Sequence, residues 1–141
     1  DGAKKDWVLE NTKYSSNVKY YPPVPYNQLS DLLCSTDIHL LFQKPNLLDT
    51  VMPSKVLGMM ASAKPSIIIG HKDSEINSTF KTTDAGLFFE YYSKDVVKEL
   101  DLLTSQDDRM KAMGRNSRAY VLNHFSKDMI LDRMLKKMNT L

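Results

Sequence analysis

Residues 65 to 70, P-S-I-I-I-G, set the tightest limit on what this chain can fold into. Three consecutive isoleucines between Pro65 and Gly70 are too few for a helix and too uniformly apolar for a strand with one wet face. They predict a parallel strand covered on both sides. Just upstream, Pro53-Ser54-Lys55 leads into Val56, Leu57, Met59, Met60 and Ala61, a set dense enough for a helix buried on most of its surface. Pro53 has the fixed φ and missing N–H that suit a first helical turn, and Pro65 disfavours helical geometry at Lys64. The stretch 49–70 therefore reads as loop, helix, turn and strand. In open α/β sheets, ligands gather where a strand hands over to a helix.

The rest of the chain repeats that alternation. Trp7, Val8, Leu9 and Tyr14 are spaced for a surface helix over residues 3–14, and Val18 to Tyr21 form a short strand candidate stopped by Pro22-Pro23. Leu29, Leu32 and Leu33 mark an amphipathic helix over 26–35, and Asp37 to Gln43 is the next buried strand candidate. After Gly70 a short helical turn is expected over Glu75 to Phe80, a turn at Thr82-Thr83-Asp84, and a strand over Ala85 to Phe89. Ser93, Ser105 and Ser126 are placed to cap three further helices, the last carrying Met129, Ile130, Met134 and Met138 on one stripe that reads as ordinary core. The expected fold is α/β: a Rossmann-like, mostly parallel sheet flanked by helices, in one domain over 1–141 with 107–141 as C-terminal helices.

Composition narrows the function. The chain has 141 residues, 42% of them hydrophobic, which suits one domain with a real core. Its formal charge of +2 is spread without a basic block, which argues against nucleic acid as a partner. No apolar run approaches the ~18 residues of a membrane span. The single cysteine, Cys34, is expected to be a buried small hydrophobe in a reducing, cytoplasmic setting. His39 lies inside a predicted strand with no ligand at metal spacing, so a packed or edge histidine is expected. The opening Asp1-Gly2-Ala3 has no initiator methionine and reads as a turn just after a strand, so a fragment of a larger protein is expected.

The familiar phosphate-loop, dinucleotide, hydrolase and metalloprotease motifs are absent from the sequence. What remains is the helix start at Pro53-Ser54-Lys55, where free N–H groups, the positive end of the helix and a nearby ammonium can cradle a phosphate or diphosphate.

Several patterns, in order, resemble the C-terminal, donor-binding half of GT-B glycosyltransferases of family 4. They are D-G-A-K-K-D-W; N-V-K-Y-Y-P-P-V with D-I-H-L-L; P-S-K-V-L-G-M-M-A-S-A-K-P-S-I-I; D-S-E-I with D-A-G-L-F-F; and M-G-R-N-S-R-A-Y-V-L-N-H-F-S. The M-P-S-K run is most similar to colanic-acid-type enzymes of exopolysaccharide synthesis. The resemblance implies one half of a GT-B fold lacking its first strands, and a retaining transfer of sugar from a UDP- or GDP-sugar, with no cofactor and no essential metal. The partners it implies are an N-terminal acceptor domain of the same protein and a lipid-linked acceptor at the inner face of the membrane.

By position, the resemblance implies backbone contacts to the donor diphosphate from the loop Leu47 to Val51, including Thr50, and from Met52, Pro53, Ser54 and Lys55. It places Pro23 and Val24 along the nucleotide base and Glu75 near the sugar. The family usually carries two glutamates across this loop and helix. The first falls at Thr50, with Asp49 adjacent as its substitute and the catalytic candidate; the second, which would bind the donor ribose, aligns with Gly58. Two other readings stay open: a GT-B sugar-nucleotide epimerase, and a degenerate module that binds a nucleotide or a partner without catalysis, for which Gly58 is the support.

Overall fold

The computed structural model describes residues 4–44 and 52–139. They fall into two units, residues 1–32 and 33–141, each treated by itself. The first unit contains α1 (Lys5–Thr12), an irregular run over 18–25 and a single 3-10 turn at Tyr26–Gln28. Helix α2 (Leu29–Cys34) spans the boundary. The second unit continues as β1 (His39–Phe42), α3 (Ser54–Ala61), β2 (Ser66–Ile69), α4 (Glu75–Thr83), β3 (Gly86–Phe89), α5 (Lys94–Thr104), α6 (Asp107–Phe125) and α7 (Lys127–Met138).

The sheet is parallel in the order β1-β2-β3, with Leu41 opposite Ile68 and Ile68 opposite Phe88. The isoleucine run is its central strand, buried at all four positions. Ile68 joins Met52, Val56, Met60, Ile76, Phe80 and Ala85 on one face, with Tyr120, Val121 and Phe125 of α6 packed over them. Ile67 and Ile69 meet Val96 and Leu100 of α5 on the other. Burying one such side chain fully contributes about 1.5–3 kcal/mol, so a helix-covered centre is the stable place for three in a row.

Helix α6 locks the amino ends of the strands. Ser117 Oγ donates to Ala85 O at 2.6 Å, Asn116 Nδ2 to Asp84 O at 3.3 Å, and Arg118 to Ala61 O at 2.9 Å at the end of α3. One turn earlier, Gly114 lies directly against the α3–β2 turn, where Ala63 holds a left-handed φ of 59°.

Several expectations are corrected. Val18 to Tyr21 form no strand, because a strand needs a ladder and none of the described residues pairs with them. Strand β1 is not buried throughout: Leu40 and Phe42 are exposed, since α5 covers Ile67 and Ile69 on that face but leaves the edge strand open. Cys34 is exposed rather than buried, at the end of a two-turn helix with no buried residue. Pro53 stands at the N-cap with extended backbone, one position before the helix. Ser105 closes α5, and α6 starts without a side-chain cap. Helix α4 runs to Thr83, closed by left-handed Asp84, where a turn was expected. Met129, Ile130, Met134 and Met138 are all exposed, because α7 buries no residue among the described elements. No helix of the described residues is long and apolar enough to cross a membrane.

His39 is packed as expected, 7% exposed at the start of β1. Its Nε2 is 2.9 Å from Ser62 Oγ, which donates onward to Met59 O at 2.6 Å. Burial, and then the Lys64 ammonium, push its pKa below 6.5, opposed by a hydrogen bond to the Leu33 backbone. The unfolded chain therefore binds the proton more readily. Stability from this site is intact above pH 6.5 and drains away as pH falls through the window below it. Melting temperature measured from about pH 7.5 to 5 should decline more steeply for the wild type than for His39→Gln. Equal slopes would remove His39 as the cause.

Candidate functional site

Because all three strands are parallel, their carboxyl ends at Phe42, Ile69 and Phe89 lie on one edge of the sheet. A helix follows each strand, so α3, α4 and α5 all begin at that edge. Met52 and Val56 share a core cluster with Ile68 and Ile76, which holds the starts of α3 and α4 close together above the central strand.

The three helix starts differ. Ser74 Oγ accepts from Asn77 N at 3.4 Å and Ser93 Oγ from Asp95 N at 3.2 Å, so α4 and α5 are closed by their own serines. Helix α3 has Pro53 at its cap and no side-chain cap bond. Pro53 O accepts from Val56 N at 3.0 Å and Leu57 N at 3.2 Å, while the exposed Ser54 and Lys55 follow it in the first turn. The open N–H groups and positive helix end favour an anion, and Lys55 adds a full charge.

The other predicted site residues divide by unit. Met52 is 4% exposed, so it anchors the entry to α3 by its side chain. Glu75 is half-buried in the first turn of α4, where a carboxylate suits the helix dipole; the cap itself is Ser74. Gly58 lies one turn along α3 from Ser54. Among the described residues a Cβ there would meet only Leu33 Cδ1, at an ordinary 3.5 Å, so their packing does not require glycine. Gly58→Ala should therefore raise stability by about 0.5–1 kcal/mol through helix propensity, read from urea unfolding. A loss of stability would show a crowding that this geometry does not contain.

Pro23 and Val24 belong to the first unit. Within it, Pro23 lines a groove of about 460 Å³ with Lys5, Val8, Tyr20, Tyr21 and Leu32, and Lys5 Nζ sits 5.5 Å from the Tyr20 ring centroid. Asp49, Thr50 and Val51 lie outside the described residues. Among the described residues no cluster of three or more potential metal ligands occurs.

A family model described as glycosyl transferase-like matches residues 2–136, nearly the whole chain. The chain belongs to the glycosyl transferase-like family. No curated protein and no solved structure gave a significant match. For a glycosyl transferase-like domain, the parallel sheet with helices on both faces and the long helical C-terminal stretch agree with a Rossmann-like half.

One residue of this edge escaped the sequence reading. His71 follows Gly70 at the end of β2, and Asp73 N donates to its Nδ1 at 3.2 Å. A histidine two residues before an aspartate and just past a buried strand was the available signal, but nothing in the spacing reveals a ring oriented by its own loop.

Proposed function

We propose that this chain is the donor-binding domain of a hexosyltransferase that takes sugar from a UDP- or GDP-sugar and transfers it with retention in cell-surface polysaccharide assembly. The observation that carries the reading is the uncapped start of α3 beside Lys55, at the carboxyl edge of a parallel sheet in a glycosyl transferase-like chain. Backbone N–H groups of the first turn and the Lys55 ammonium would hold the diphosphate and stabilise charge on the departing nucleotide. The benefit grows as the glycosidic bond breaks, which is the condition for lowering a barrier rather than merely binding. Asp49, beside the position of the family's first glutamate, is the catalytic candidate. Pro23 and Val24 would lie along the base, with Thr50 and Val51 at the diphosphate and Glu75 at the sugar. Acceptor binding would fall to a further domain of the same protein, acting on a lipid-linked acceptor at the cytoplasmic face of a membrane.

Gly58 favours a second reading, a module that binds nucleotide without turnover, because glycine offers no acceptor to a ribose hydroxyl. Among the described residues a Cβ at this position meets only ordinary contact with Leu33. A donor screen with the enzyme containing this domain separates the two. Transfer from UDP- or GDP-sugars to a lipid-linked acceptor supports the transferase. Binding without transfer or hydrolysis supports the module, and no binding of UDP or GDP at millimolar concentration sinks both.

A further inference from the structure

We draw no further inference here: the strongest candidate, the largely apolar groove of the first unit lined by Lys5, Val8, Tyr20, Tyr21, Pro23 and Leu32, carries nothing because nothing in the structure shows what fills it.

Discussion

Gly114→Ala is expected to cost about 2 kcal/mol of stability and lower the melting temperature by roughly 8 °C. A methyl group on Gly114 would stand 2.0 Å from Ala63 O and 2.7 Å from Ala63 C, which are backbone atoms with no rotamer to escape into. Relief requires α6 to retreat from the α3–β2 turn. That movement strains the bonds Ser117 and Arg118 make to Ala85 O and Ala61 O. Overpacking of this kind costs about 3 kcal/mol, and the better helix propensity of alanine returns at most about 1 kcal/mol. Urea unfolding reads the difference. Gly58→Ala is the internal control, since the same change in α3 meets only ordinary contact and is expected to stabilise. If both variants gain stability, the close approach of α6 to the turn is wrong.

Lys55→Ala is expected to lower kcat/KM about a hundredfold in the enzyme containing this domain, with the fold intact. Lys55 is exposed in the first turn of α3 and forms no ion pair among the described residues, so its removal should leave stability nearly unchanged. Its effect falls on the diphosphate, whose negative charge increases as the sugar departs. A loss confined to KM would mean Lys55 holds donor and transition state equally; a loss in kcat would place its contact in the transition state. Wild-type kinetics in the variant would remove Lys55 from the site while leaving the family membership untouched.

Legibility in the sequence followed the range of the forces involved. The strand at Ser66–Ile69 and the helices at Ser54–Ala61 and Lys94–Thr104 were readable because apolar spacing and caps are local. The serine caps at 93 and 126 worked as read; the one expected at 105 did not, because α5 ran one residue further and used Ser105 for its own closure. Burial was less legible. Cys34 and the methionines of α7 are apolar at helical spacing, yet burial depends on a covering element, and spacing cannot report whether one is there.

By itself the sequence determined the parallel centre of the sheet, the helices that follow each strand, and the place where a ligand would be sought, at Pro53 to Lys55. Only the tertiary structure decided that, among the described residues, α3 starts at Pro53 without a side-chain cap while α4 and α5 are closed by serines. It alone showed that, among the described residues, a Cβ at Gly58 meets ordinary contact whereas one at Gly114 would strike the backbone of Ala63. The physical reason is that an isoleucine run and a capping serine act within a few residues. Clearance at a Cβ depends on atoms brought together by the fold, and in the case of Gly114 those atoms belong to a turn 51 positions away in the chain.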